Sequence, residues 1–189
     1  AIVIISAVEG IQGHTETVWQ LLRQYHVPTF IFINKVDREG ADVSALMQAL
    51  QKEFSPNIVL VNNLADAAEF VAERNEILLE KFMEEALTDE EILNALQHHI
   101  KQEEAFVAMQ GAALKSIGVM EFFNILHQLT TTTYEESAPF EADVVKIRHD
   151  GEQRLTFLKA KSGTLHVRDE LSFHEMNEKI TEIRLYNGN

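Results

Sequence analysis

Cysteine is absent from the 189 residues. A disulfide framework, a thiolate zinc site and a thiol nucleophile are therefore excluded. Positive charge is scarce: 16 Lys+Arg stand against 30 Asp+Glu, for a net charge of −14 with histidine neutral. Phosphate backbones reward clustered Lys and Arg, so nonspecific or sequence-specific DNA binding is not expected. A local patch acting on a nucleoprotein stays open. Long apolar runs are lacking too. The longest, Ala1 to Ile5 and Thr29 to Ile33, are far too short to cross a bilayer. No charged segment followed by an apolar one reads as a signal peptide. The chain is expected to be soluble and cytoplasmic, with no membrane partner.

What is present is ordinary for a globular protein, with 46% hydrophobic and 24% charged residues. The length fits one large domain or two small ones. Charge divides the chain unevenly. Residues 1–137 hold 8 Lys+Arg against 21 Asp+Glu, and residues 138–189 hold 8 against 9. That step points to two units in different surroundings. The chain opens on a strand-like run without Met and ends on Asn187-Gly188-Asn189, a turn-like close, so a fragment of a longer protein is expected.

Hydrophobic periodicity sets the organisation. Ala1 to Ser6 is a β-branched apolar run, the pattern of a strand buried on both faces. After Gly10 and Gly13, the residues Val18, Leu21, Leu22 and Tyr25 predict one apolar helix face. Thr29 to Ile33 predicts a second buried strand. Val43, Leu46, Met47 and Leu50 predict a second helix, and Ile58 to Val61 a third strand. Such alternation predicts βαβ units on a parallel sheet.

Residues 64–104 turn helical and acidic, with 12 Asp+Glu against 3 Lys+Arg. They are either an acidic contact surface or the solvated face of two packed helices, the usual origin of such runs. Thr88 to Glu91 forms a capping-box pattern, so a helix should begin there. Ala105 to Met109 predicts another strand, and Val119, Phe122, Phe123 and Leu126 another core-facing stripe.

The threonines at 130–133 and the segment to Pro139 read as a linker. Beyond it the period becomes two, and Asp150-Gly151 signals a hairpin. Strands are expected at 155–160, 164–167, 171–173 and 180–186, as part of a small antiparallel barrel that stops before closing. The expected class is thus α/β, a parallel sheet with helices, followed by part of an antiparallel β-barrel.

The chemistry sits in Asn34-Lys35-Val36-Asp37, at the end of the second strand. In open α/β sheets ligands bind beyond the carboxyl ends of strands. A carboxylate has two acceptor oxygens that match the adjacent N1–H and N2–H₂ donors of guanine, and adenine offers no such pair. The Asn amide can donate toward O6 and N7 while tying neighbouring loops. The Lys stem can lie on the ring face with its ammonium hydrated or bonded to carbonyls. The other reading of these four residues is a helix N-cap with ordinary turn residues. A second loop, Gln110 to Lys115, has small residues whose backbone N–H groups could approach guanine O6. Alone it is a glycine turn. Beside the first motif it becomes the other half of a base clamp.

Together the segments Ala7 to Trp19, Thr29 to Gly40 and Gly111 to Val119 resemble translational GTPases of the elongation factor G branch. Within that branch the chain is most similar to the tetracycline-resistance ribosomal protection proteins. The tail, from Arg154 through Ser162 to Asp169 and on to Ile183, is similar to their second domain. The resemblance implies a GTP-binding domain's C-terminal portion over 1–134 and a truncated β-barrel domain over 135–189. It implies Asn34, Lys35 and Asp37 as the base-specificity motif and Ala112, Ala113 and Leu114 as the second guanine loop. The family usually has Ser where Ala112 stands, and loss of that hydroxyl removes a support worth about 1 kcal/mol. The intact protein would hydrolyse GTP on the ribosome and dislodge tetracycline. GTP or GDP would bind, with Mg²⁺ only in the intact protein. Housekeeping translocation, or a non-catalytic interaction module, are the alternative functions.

Phosphate chemistry needs G-x-x-x-x-G-K-[ST]. No glycine starts such a run: Gly10, Gly13, Gly40 and Gly111 meet Thr15, Val18, Ala45 and Ser116 where the second glycine should be. Asp37 to Gly40 satisfies D-x-x-G, but after the wrong strand. Gly13-His14 imitates a catalytic Gly-His, and His14 reads as a helix-entry residue. His98 and His99 are adjacent, point about 100° apart on a helix and suit a solvated helix end better than a shared metal. Trp19 reads as packing. No catalytic residue and no metal ligand are assigned within the chain, which on its own is expected to be inactive.

Overall fold

Four short apolar runs pair into one parallel sheet. The computed structural model describes residues 1–130, 134–151, 153–173 and 176–185. The strands are β1 (Ile2–Ser6), β2 (Phe30–Asn34), β3 (Ile58–Leu60) and β4 (Phe106–Gln110), in the spatial order β1-β2-β4-β3. Pairing is parallel throughout, with Ile4 opposite Phe32, Ile31 opposite Ala108 and Val59 opposite Val107. The α/β expectation holds, and the two loop-bearing strands β2 and β4 are direct neighbours.

Helices cover both faces. On one face α1 (Gly13–Gln24) and α2 (Val43–Glu53) enclose Val3, Ile5, Ile31, Ile33, Ile58 and Ala108 with Trp19, Leu46 and Leu50. On the other, α3 (Ala68–Ala72), α5 (Asp89–Lys101) and α6 (Val119–Leu129) pack Val71, Leu96, Ile100 and Phe122 on Phe30, Phe32, Val107 and Met109. Because adjacent strand residues point to opposite faces, continuous apolar strands serve both layers. Trp19 is a core residue, stacked on Phe54 at 4.9 Å and edge-on to Phe106 at 4.9 Å.

Several expectations about exposure are corrected. β1 is an edge strand: Ile4 is 64% exposed, and no described element covers the face it shares with Ile2. On α1 the buried residues are Thr15 and Trp19, whereas Val18, Leu21 and Tyr25 are exposed. The bulky indole, not the most regular apolar stripe, fixes how that helix rolls onto the sheet. On α6 Phe122 is buried and Phe123 exposed. The acidic stretch is a 3₁₀ turn and three helices, α3, α4 (Glu76–Met83) and α5, where two helices were expected. Thr88 does cap α5, its hydroxyl accepting from the Glu91 N–H in a full capping box. His99 leaves the solvated helix end expected for it: its side chain is 14% exposed, with Nδ1 2.9 Å from Glu104.

The chain divides into two compact units, Ala1–Thr131 and Thr132–Asn189. In the second, β5 (Glu141–Asp150) and β6 (Gln153–Ser162) form an antiparallel hairpin that turns at Gly151, where φ is +61°. β7 (Glu170–Phe173) and β8 (Met176–Lys179) form a second antiparallel pair. The strands expected at 164–167 and over 180–185 are irregular backbone instead. Around 166–169 the His166 N–H is held by the Asp169 carboxylate in a local turn, whereas Ile180 exchanges backbone bonds with Arg168 and Asp169, a continuation of the β7–β8 pairing by one step. Threonines 131–133 of the expected linker, and residue 186, lie outside the described residues. The described strands thus make two separate ribbons, without barrel closure among them.

Candidate functional site

The carboxyl ends of β1, β2 and β4 lie side by side, and the expected site residues gather there. Asn34 closes β2, and its carbonyl accepts from the N–H of Ala7 at 2.8 Å, which aligns the β1 and β2 ends. Its side-chain Oδ1 accepts from the N–H of Ala113 at 2.9 Å across 79 residues of sequence. Orientation of the amide follows from that bond: the oxygen faces a donor, so the NH₂ is left to donate. Two backbone bonds complete the seam. The Gly111 N–H donates to the Ile33 carbonyl at 2.8 Å and the Val36 N–H to the Gly111 carbonyl at 3.3 Å.

The helix-cap reading of the motif fails on geometry. The N-cap of α2 is Asp42, whose carboxylate accepts from the Ala45 N–H at 2.9 Å. Asn34, Lys35 and Asp37 have no capping duty. Lys35 takes a left-handed backbone conformation, φ +65°, which costs a residue other than glycine roughly 1–2 kcal/mol.

The Lys35 ammonium, expected to be hydrated or bonded to carbonyls, has a carboxylate partner instead. It forks onto Glu9 in the loop after β1, at 3.1 and 3.0 Å, and Glu9 was not singled out in the sequence. Lys35, with Ser6 beside it, holds the Glu9 carboxyl below the usual range. On the other flank Asp37 Oδ2 lies 2.7 Å from the Lys115 ammonium. That ion pair keeps the Asp37 carboxyl below its ordinary value, the Lys115 hydrogen bond outweighing the opposing effect of desolvation. Asp37 is therefore an anion at neutral pH, with Oδ2 engaged by Lys115.

The second loop differs from its expected role. The Ala113 N–H, a candidate donor to guanine O6, is engaged by Asn34. Ala112 is 2% exposed and exchanges two backbone bonds with Ile117, at 2.9 and 3.1 Å, so its methyl is core. Leu114 is 88% exposed. A Cβ on Gly111 would fall inside contact of the Ile117 carbonyl and 2.7 Å from the Phe32 ring, which is why glycine stands there. A cavity of about 190 Å³ adjoins the seam, lined among others by Ser6, Glu9, Thr15, Asn34 and Lys35. Among the described residues no group of three His, Asp or Glu side chains converges as a metal site.

An α/β sheet with an Asn-Lys-x-Asp turn tied to a glycine loop on the next strand defines a nucleotide-binding domain. The chain belongs to the elongation factor Tu GTP binding domain family, which matches residues 1–132. It is 31% identical to the tetracycline resistance protein TetW of Butyrivibrio fibrisolvens, over 98% of this chain and 32% of that protein. It is 30% identical to the tetracycline resistance protein TetM from transposon Tn1545 of Enterococcus faecalis, over 97% of this chain and 31% of that one. The chain therefore spans about a third of the length of the curated relatives it matches. A solved protein from Thermus thermophilus shares the fold, with a TM-score of 0.76 at 18% identity over 95% of this chain and 34% of that one. The resemblance read from the motifs stands.

Proposed function

We propose that this chain is the guanine-reading part of a ribosome-dependent GTPase of the tetracycline-resistance type, working in the cytoplasm. One observation carries the reading. The Asn34 amide and Asp37 carboxylate stand on a turn that is hydrogen-bonded to the Gly111–Ala113 loop and is relieved of any capping role. Asp37 then accepts from guanine N1–H and N2–H₂, the Asn34 amide donates toward N7 and O6, and the Lys35 stem flanks the ring. Leu114 and the Ala113 backbone close the other side. Buried Ala112 supports the loop and does not touch the base. In the longer protein, phosphate and Mg²⁺ contacts come from residues outside these 189, and GTP hydrolysis on the ribosome displaces the drug. The tetracycline resistance proteins TetW and TetM, matched over nearly the whole chain, support that assignment.

Substitution Asp37→Asn in the full-length protein tests the base reader. The amide donates to the C2 carbonyl of xanthine and accepts from its N1–H, so the preference should move from GTP to xanthosine triphosphate. Bidentate discrimination of this kind is worth about 1–3 kcal/mol, and competitive nucleotide binding measures it. An unchanged GTP preference would sink the assignment. Expression of the full-length gene in a tetracycline-sensitive host should raise the tolerated drug concentration. Translocation activity without resistance would place the protein with housekeeping factors.

A further inference from the structure

The Lys115 ammonium stands 2.7 Å from Oδ2 of Asp37. Lys115 ends the short turn Ala113–Lys115, whose first N–H is fixed on Asn34. Its backbone is therefore anchored to the strand that leads into Asp37, while its side chain is 58% exposed and able to swing. The Asp37 carboxylate is at the surface, with the ammonium seated on Oδ2. A guanine edge needs both carboxylate oxygens at once, one for N1–H and one for N2–H₂. The ammonium already takes an acceptor site on Oδ2 and crowds the approach of the guanine edge, so the two compete for the carboxylate.

We propose that Lys115 is a specificity-positioning latch that competes with guanine for Asp37, so that base entry requires the Lys115 side chain to leave. The proposal rests on the base-reading role of Asp37. In the latched state Lys115 keeps the carboxylate ionised and oriented, and it bars ligands that cannot replace its hydrogen bond. Exposed ion pairs shift an equilibrium by about two- to fivefold, which is the size of effect expected. Salt weakens such pairs, since the screening length falls to a few ångströms near 1 M.

The test is a titration of the 189-residue chain by amide NMR with guanosine, xanthosine and adenosine monophosphates. The proteins are wild type, Lys115→Met, Asp37→Asn and the double variant, each at low and high salt. Lys115→Met is expected to bind the guanosine nucleotide about two- to fivefold tighter at low salt. The gain should shrink at high salt and vanish in the Asp37→Asn background. Carbon-detected titration of the Asp37 carboxyl should show its pKa rising in Lys115→Met, a readout independent of any nucleotide. If Lys115→Met binds no tighter while Asp37→Asn still loses the preference for guanine over adenine, the latch is wrong and the base reader stands. If Asp37→Asn keeps that preference, or no variant binds the guanosine nucleotide, both fall.

Discussion

At the residue scale the site depends on what can fit between β2 and β4. Gly111 lies where the two loops are in contact, and the Phe32 ring and the Ile117 carbonyl leave no space for a methyl. Gly111→Ala must therefore push the second loop off Asn34. Overpacking of this kind costs about 1–3 kcal/mol, and urea unfolding measures it. The control is Gly13→Ala at the first turn of α1, where nothing lies within 4 Å of the added carbon. There stability should hold or rise slightly, because alanine restricts the unfolded chain. Equal losses at both positions would refute the packing argument. The place of the motif at the carboxyl end of β2 was legible in the sequence, because it directly follows a continuous apolar run. The pairs Lys35–Glu9 and Asp37–Lys115 were not. They join positions 26 and 78 apart, and no local pattern reports which lysine meets which carboxylate.

At the element scale, α5 shows how a sequence signal becomes stability. Thr88 and Glu91 cap each other, and Glu91 also meets the Lys81 ammonium from α4. Lys81, then the Thr88 N–H and hydroxyl, lower the Glu91 pKa from 4.5 to about 2. A carboxylate depressed in the folded state stabilises above its unfolded pKa, and that stability is lost as pH falls toward the folded value. The contribution of Glu91 should thus be complete above pH 4.5 and fade between 4.5 and about 2. Denaturation of wild type and Glu91→Gln at about pH 6, 4 and 3 should show a gap that closes with acid. A gap independent of pH would rule out the ion pair. Thr88→Ala removes the hydroxyl cap itself, at a cost of about 1 kcal/mol. Element positions were legible where burial is two-sided and monotonous, as in β2 and β4. They were less so where one bulky residue decides orientation. Trp19 turned α1 away from its most regular stripe, and Phe122 took the core place that Phe123 could equally have filled. The strand expected at 164–167 gives way to a turn in which the Asp169 carboxylate takes the His166 N–H, and the pairing of 180–185 stops after Ile180.

For the whole molecule, reading a base and cleaving a phosphate are separable tasks with different residues. The parallel sheet ends on the residues proposed to read the base, and none of its loops carries the Gly-Lys-Ser/Thr cradle that phosphoryl transfer requires. Catalysis of that transfer is almost wholly positioning and charge neutralisation at the γ-phosphate. Residues that hold only the base bind the ground state and the transition state alike, so they lower the dissociation constant without raising the rate. The 189-residue chain should therefore release phosphate from GTP no faster than buffer does, while the full-length protein should do so when ribosomes are added. Phosphate release measured on both proteins, with and without ribosomes, decides the matter. Turnover by the 189 residues alone would mean that hydrolysis uses groups in this unit, and the division between base reading and phosphate chemistry would have to be abandoned.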